Sequence, residues 1–392
     1  MSKPGPIVFL MADAFGEGGV ARTTTNLANH LAQTREVRVI SLTRRRDKPR
    51  FELDDTIDLT VLDDLRGGGS RVNRRLRRRL HRRLRRIPSR LRPLPSEKSV
   101  SLLTDLLLRR AIRGVRSGVI VSTRPSLHLA LTTFARPGVT TVGWEHLNHE
   151  SRSHNPRLMQ VLHAAIPRLD GCVVLTEADA QDWRRDLPGL RTALEVIPNS
   201  VAWPIRAEPA NVESKVVVAA GRLVPRKGFP RLIRAFAPVA RRHDDWQLHI
   251  YGQGPQKQEL AELIRRLDLD SQVLLRGYSR DLPDVLANAS IFAMTSLSEG
   301  FPMVLIEAMS TGTPLIAFDC PRGPAEIIRN GSNGLLIPKG PFQQFTRGLE
   351  SLVVDADLRA RMGAQALQDA QAYTIQNVAA DWDRFLERLT AR

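Results

Sequence analysis

The chain reads as an α/β protein made of two Rossmann-like, doubly wound halves. Three observations predict this. Short apolar runs alternate with helical patterns along the whole length, which argues parallel sheets with crossover helices. The alternation breaks once, at Val196-Ile-Pro-Asn-Ser-Val-Ala-Trp-Pro204, where turn formers cluster before the polar stretch Arg206–Lys215. With 392 residues and a hydrophobic fraction of 42%, the chain is long and apolar enough for two packed domains.

In the first half the strand candidates are Ile7–Ala12, Val37–Leu42, Ile57–Leu62, Gly118–Ser122, Thr140–Trp144 and Gly171–Thr176. Helical patterns lie between several of them, including Arg22–Ala32, Ser99–Arg113 and His154–Pro167. In the second half, strands are expected at Val216–Ala220, Gln247–Tyr251, Gln272–Leu275, Ile291–Thr295 and Pro314–Phe318, with Gly334–Pro338 as a short final strand. The chain closes in helices, including Val378–Leu389 with Trp382 and Phe385. The expected domains are 1–203 and 204–372, with a terminal helix over 373–392.

Composition excludes several classes. Cys172 and Cys320 are far apart and no C-x-x-C pair occurs, so neither a disulfide framework nor a zinc site is signalled. The apolar run Ile7–Ala12 is too short for a signal-peptide core, and no run reaches transmembrane length, so a cytoplasmic protein is expected. The net charge of +17 is concentrated: residues 71–92 hold twelve arginines and no acid, which leaves +5 for the rest. Val72, Leu76, Leu80, Leu84 and Ile87 recur there at helical spacing, giving a narrow apolar stripe on a cationic helix. Such a helix suits an anionic membrane surface or an anionic polymer. Nucleic acid is not expected, because no aromatic is interleaved and no recognition motif surrounds the segment.

The stretch Glu299-Gly-Phe-Pro-Met-Val-Leu-Ile-Glu307 carries the strongest chemical signal. Glu299 is expected at the C-terminal end of a buried strand, where open α/β sheets bind ligands. Glu307 is expected about two turns into the following helix, on nearly the same face. Two fixed acceptors suit a hydroxyl-rich ligand such as a sugar and a ribose. The blander readings are a dipole-compensating Glu299 and a solvated Glu307. Gly221-Arg222-Leu-Val-Pro-Arg-Lys227-Gly228 follows the first strand of the second half. Its two cations suit a diphosphate, Arg222 as a fork and Lys227 as a point charge. Gly16-Glu-Gly18-Gly19-Val-Ala-Arg22 opens a helix after the first strand, where free N–H groups can meet a phosphate. Its spacing is not that of the dinucleotide fingerprint.

His146, in Gly143-Trp-Glu-His-Leu-Asn148, follows another strand of the first half and faces any cleft between the halves. The loop Asp319-Cys-Pro-Arg-Gly-Pro-Ala-Glu326 ends a strand of the second half, and Glu326 opens the next helix. Asp268-Leu-Asp270 and Asp355-Ala-Asp357 lie in polar helix-end contexts, so no metal is indicated.

Taken in order, Gly18-Gly19, His146, Pro198-Asn199, Gly221-Arg222 with Lys227-Gly228, and Glu299 through Glu307 resemble the family 4 retaining glycosyltransferases over nearly the whole chain. The resemblance implies the GT-B architecture, two Rossmann-like domains facing a central cleft, with an N-terminal acceptor domain and a C-terminal nucleotide-sugar domain. The closing helix would cross back onto the first domain. It implies that Arg222 and Lys227 hold the nucleotide diphosphate and stabilise its charge as it leaves. Glu299 would bind donor sugar hydroxyls, with Gly300, Phe301 and Pro302 around it, and Glu307 the ribose. Gly18 and Gly19 would offer backbone N–H near the β-phosphate, Gly277 and Tyr278 would lie near the nucleobase, His146 would line the reaction centre, and Asn199 would sit at the hinge.

The same resemblance implies retention of anomeric configuration by front-face attack, with no cofactor and no metal. The loop 319–326 departs from the family's commoner double-glycine form and is similar to members acting on lipid-linked glycans or polyol phosphates. With the arginine-rich segment, this favours an anionic or lipid-linked acceptor and a peripheral position at the inner face of the cell membrane; the expected donor is a UDP-sugar. The alternatives are a nucleotide-sugar epimerase or hydrolase on the same fold, and a non-enzymatic polyanion-binding protein.

Overall fold

The computed structural model describes residues 5–66, 81, 83–89, 91 and 100–391. The expected cationic helix over 71–92 falls largely outside the described residues, and with it the stripe from Val72 to Leu80. Its described end is tied to the first domain: Arg85 pairs with Asp63, and Ser89 Oγ donates to Asp105 at 2.6 Å. Ile87, the last residue of the expected stripe, is 44% exposed.

The chain divides into two compact units, residues 1–200 with 378–392, and residues 201–377. The first contains β1 (Ile7–Met11), β2 (Val37–Arg44), β3 (Asp58–Asp64), β4 (Val119–Ser122), β5 (Thr140–Trp144), β6 (Gly171–Val174) and β7 (Ala193–Val196). They form one parallel sheet in the order β3-β2-β1-β4-β5-β6-β7. All five residues of β1 are buried, as expected of a strand covered on both faces. Leu108, Ile112, Leu127 and Leu131 cover one part of the sheet, and Met159, Leu162 and Trp183 another.

The terminal helix Ile375–Thr390 adds Trp382, Phe385 and Leu389 to the core of this unit. Trp382 meets Trp144 edge-on at a centroid distance of 4.8 Å. Gly171 lets the helix close on β6, since a Cβ there would lie 2.6 Å from Phe385 and 2.7 Å from Leu389. Truncating a core tryptophan of this kind costs about 3–5 kcal/mol.

The second unit holds β8 (Val216–Ala220), β9 (Gln247–Tyr251), β10 (Val273–Gly277), β11 (Ile291–Met294), β12 (Leu315–Phe318) and β13 (Gly334–Ile337). Their parallel order is β10-β9-β8-β11-β12-β13. Helix Phe229–Arg242 buries Phe229, Leu232, Ile233 and Phe236 against Trp246, Phe345 and Leu349. In each sheet the first strand pairs with the second on one side and the fourth on the other. The order in which strands are laid down therefore reverses between β1 and β4, and again between β8 and β11, which marks the switch points where such sheets bind ligands.

The structure adds elements that the pattern reading lacked. Strand β7 was not expected and ends where the expected break begins, at Val196; Ala-Leu-Glu-Val is half-buried along its length and shows no apolar run. Helix Pro125–Phe134 has its first seven residues buried, so no polar face gives it a period. Helix Glu177–Asp186 is mostly polar, with Ala180 and Trp183 as its buried apolar residues. Among the described residues no helix is long and apolar enough to cross a membrane.

Candidate functional site

The switch point of the second sheet gathers most of the expected donor-site residues. β8 runs into Gly221–Gly228, and its neighbour β11 runs into Thr295–Pro302. The two loops are stitched together: Leu297 N–H donates to Arg226 O at 2.8 Å, and Thr295 Oγ1 to Gly228 O at 3.0 Å. Lys227 Nζ donates to Glu299 Oε1 at 2.6 Å, with the lysine side chain 17% exposed and the carboxylate 6%. Lys227 has three N–H donors, so a ligand can still take the others. Arg222 stands exposed on the same loop.

Backbone freedom makes this approach possible. Gly228 has φ 67°, and a Cβ there would lie 2.1 Å from Thr295 O. Gly252 and Gly254, on the loop after β9, press against the Arg222 loop in the same way. A Cβ on Gly252 would lie 1.8 Å from Gly221 O, and one on Gly254 would lie 2.3 Å from Leu223 O. These two glycines belong to the site's framework and are absent from the sequence reading. The signal was there, a G-x-G immediately after a strand.

The loop after β12 closes the other side. Glu299 N–H donates to Pro321 O, and Arg322 N–H donates back to Glu299 O, both at 2.8 Å. Cys320 is buried here, and burial, reinforced by the Glu299 and Asp319 charges, pushes its thiol up to about 12. It stays protonated and is no nucleophile at neutral pH. Gly300, Phe301 and Pro302 are buried, and the Phe301 ring meets that of Tyr373 at 5.9 Å.

Glu307 corrects one expectation. It is the fifth residue of the short helix Met303–Met309, little more than one turn in, whereas Glu299 lies on the preceding loop, so the two do not share a helix face. The helix starts late because Pro302 caps it and the segment Glu299–Phe301 is held by the β12 loop instead. Glu307 is 3% exposed, which excludes a solvated helix residue. Its helix is fixed through Ser310, whose Oγ donates to Glu307 O at 2.7 Å and accepts from Trp203 Nε1 at 2.9 Å. Gly277 ends β10 with φ 73°, and Tyr278 beside it is 57% exposed.

The aspartate pairs sit at helix ends: Asp268 follows Lys257–Arg266, and Asp355 caps Ala356–Asp369 by accepting from Leu358 N–H at 2.7 Å. Glu326 lies in the short helix Pro324–Ile327.

In the first unit, Gly18 caps helix Gly19–Leu31 at the end of β1, beside the switch point. Both glycines are exposed, and a Cβ on either would meet nothing within 4 Å. His146 follows β5, with its ring 4.5 Å from that of Trp144. Its Nε2 is enclosed and has no hydrogen-bond partner among the described residues. Burial pushes the imidazole down to about 3; Arg152, His128 and Arg124 act in the same direction and Glu145 opposes them. His146 is therefore neutral at neutral pH and able to donate or accept one hydrogen bond. Asn199 is buried near the end of the first unit.

Comparison with known proteins follows this geometry. Residues 17–202 match the model of Glycosyltransferase Family 4, and residues 203–369 match that of Glycosyl transferases group 1. An exopolysaccharide phosphotransferase of Streptomyces coelicolor is 31% identical over 391 residues, 98% of this chain but 41% of its own length. The chain thus spans less than half of that relative. An uncharacterized glycosyltransferase of Haemophilus influenzae is 26% identical over 97% of this chain and 99% of its own. Among solved structures, TarM of Staphylococcus aureus, in complex with fondaparinux, α-GlcNAc-glycerol and UDP, superposes with a TM-score of 0.78 at 17% identity. The match takes in 97% of this chain and 99% of that one. By its two matched models and its two parallel sheets, the chain belongs with the glycosyltransferases of GT-B fold.

Proposed function

We propose that this protein is a retaining hexosyltransferase of family 4 that uses a UDP-sugar, requires no metal, and glycosylates an anionic or membrane-associated acceptor. The observation that carries the reading is the Lys227–Glu299 pair at the switch point of the second sheet, with Arg222 exposed on the same loop. Two cations at a strand end can neutralise a diphosphate as it departs, which is the charge that develops in sugar transfer. Glu299 does two things in this reading. It holds the Lys227 ammonium in place and presents carboxylate acceptors to sugar hydroxyls. Glu307 is assigned to the ribose, and Gly277 with Tyr278 to the nucleobase.

The first domain is assigned the acceptor. It also contributes the neutral imidazole of His146 to the reaction centre and the exposed backbone of Gly18 and Gly19, at a helix N-terminus, to the donor's β-phosphate. No side chain is assigned as a double-displacement nucleophile: both carboxylates of the 299–307 stretch have binding roles, and Cys320 is a buried, protonated thiol. UDP in the TarM complex supports the choice of base for this chain. The arginine-rich 71–92 segment supports a polyanionic or membrane-borne acceptor.

The test is a transfer assay with UDP- and GDP-sugars, run with EDTA, on anionic liposomes carrying lipid-linked acceptors and on polyol-phosphate polymers. Product anomeric configuration is read by NMR. The expected result is an EDTA-insensitive, retained product from a UDP-sugar. An inverted product, donor hydrolysis without transfer to any acceptor, or an absolute metal requirement would overturn it.

A further inference from the structure

Behind the loop that carries His146 lies a buried polar chain with no part in holding the donor. Ser122 Oγ, at the end of β4, is 2.7 Å from His128 Nδ1. His128 Nε2 is 2.8 Å from Glu145 Oε1. Glu145 Oε2 accepts from Arg152 Nε at 2.9 Å and from Arg152 Nη2 at 2.7 Å. A neutral imidazole satisfies every link, with Ser122 O–H donating to Nδ1 and Nε2–H donating to Glu145. The order Ser-His-Glu has the look of a hydrolytic triad, but Ser122 and His128 are 0% exposed, so no substrate reaches the hydroxyl.

The chain is built into the fold. Its members come from β4, from helix Pro125–Phe134, from the residue after β5, and from the short helix His149–Ser153. Gly143 leaves room for the histidine: a Cβ there would lie 3.4 Å from His128 Cε1 and 2.8 Å from Leu169 Cδ1. Burial works against ionised Glu145, yet the Arg152 charge and the His128 hydrogen bond outweigh it and hold the carboxyl below its usual range. Replacing such a buried ionic cluster by apolar residues is often neutral or stabilising, so stability is a weak reason for having it.

Geometry supplies a better reason. Three of the four links end on Glu145, the residue before His146, and the fourth holds the histidine that meets it. The far end of the same loop is fixed too, because Asn148 Oδ1 accepts from Ser151 N–H and His149 N–H donates to Asp179 Oδ1 at 2.6 Å. On the other strand face, the His146 ring rests on Trp144, and Trp144 rests on Trp382 of the terminal helix. The imidazole therefore rests on Trp144, while the side chain of the residue before it is held by the polar chain.

We propose that Ser122, His128, Glu145 and Arg152 form a positioning network that fixes His146 for the transfer step. The proposal rests on the assignment of His146 to the reaction centre. Two readouts test it in the full chain: steady-state transfer, and ring 15N resonances of His146 in histidine-labelled protein. Glu145→Gln keeps the side chain's shape and removes its charge, and Ser122→Ala removes only the outermost link. The expected outcome for Glu145→Gln is a kcat lowered by about 10²-fold, the loss typical of a group displaced by about 1 Å, with the donor KM within about threefold. A smaller kcat loss is expected for Ser122→Ala, and shifted His146 resonances in both.

Unchanged His146 resonances and kcat in a folded Glu145→Gln protein would overturn the network, whatever happens to its melting temperature. Should Glu145→Gln fail to fold, the same readouts on Ser122→Ala decide. If the wild type transfers no sugar, the functional reading fails by itself, and the His146 resonances still settle whether the network positions the ring.

Discussion

Lys227 and Glu299 are the pair on which the donor site turns, and their linkage can be measured apart from catalysis. Lys227→Met removes the ammonium and keeps most of the side-chain volume, taking the Lys227 charge away from a carboxylate that is 6% exposed. Breaking a fully buried pair in this way costs about 3–5 kcal/mol. Lys227 retains 17% exposure, so water softens the loss and a value near the low end, about 3 kcal/mol, is expected. Glu299→Gln strands the lysine instead; its head can turn toward solvent along its stem, so about 1–2 kcal/mol is expected. In the double variant both charges are gone, so its loss should be smaller than the sum of the two single losses by the coupling between them.

The assay is urea unfolding of all four proteins, read as a double-mutant cycle, beside transfer activity on the same preparations. The expected coupling is about 1.5–3 kcal/mol, the range of a charge-assisted hydrogen bond. Activity should be lost in both single variants and in the double variant, because a smaller-than-additive stability loss does not restore a cation for the diphosphate. Additive stability effects would show the pair to be incidental. A double variant that regains transfer would remove both residues from the donor site.

Three further predictions concern two of the site's glycines and its histidine. Gly252→Ala should destabilise the second domain by roughly 3 kcal/mol or more, combining strain at φ 146° with a Cβ placed 1.8 Å from Gly221 O. Gly18→Ala has open space and an ordinary φ of −86°, so its stability should change by less than about 0.5 kcal/mol while donor binding, read by UDP-sugar thermal shift, weakens. Equal donor binding in Gly18→Ala would remove that loop from the ligand site. For His146, the folded imidazole titrates at about 3 against about 6.5 in the unfolded chain, so below pH 6.5 the unfolded state takes up a proton that the folded state refuses. Stability should therefore fall with pH through this window, by up to about 1.4 kcal/mol per unit from this group. Between pH 6.5 and 5, above the carboxylates, the slope should be shallower in His146→Gln by that amount, and equal slopes would refute the burial argument.

How much of this was legible in the sequence depended on how residues advertise themselves. Strands such as Ile7–Met11, buried on both faces, appear as unbroken apolar runs and were read within a residue or two. β7 was not, because a half-buried edge strand needs no such run. Arg222, Lys227 and Glu299 stand out because charges at strand ends are conspicuous, but nothing in their spacing of 72 residues between Lys227 and Glu299 says that they touch at 2.6 Å. That contact comes from the sheet order, which places β8 beside β11. The buried chain through His128 and Glu145 was equally hidden. A histidine inside an apolar helix and a glutamate beside a tryptophan each read as ordinary until β4 and β5 bring them within 2.8 Å.

The glycines show how far a purely internal account can reach. Gly228, Gly252 and Gly254 are demanded by the protein itself, since a Cβ at any of them would collide with a neighbouring backbone at 2.1, 1.8 and 2.3 Å. Their presence follows from folding the second domain and is no evidence for a ligand. Gly18 and Gly19 occupy the equivalent place after the first strand of the first domain, yet neither has a positive φ nor any neighbour within 4 Å of a Cβ. Nothing inside the fold asks for glycine there. Gly18 is the N-cap, a place where glycine is accepted, and Gly19, the first helical residue, lowers helix propensity by up to about 1 kcal/mol relative to alanine. A partner approaching the backbone from outside is the reading proposed for the pair, and the donor-binding measurement on Gly18→Ala decides it. That test is clean because a Cβ at either glycine meets nothing in the fold, so any loss of binding belongs to the ligand.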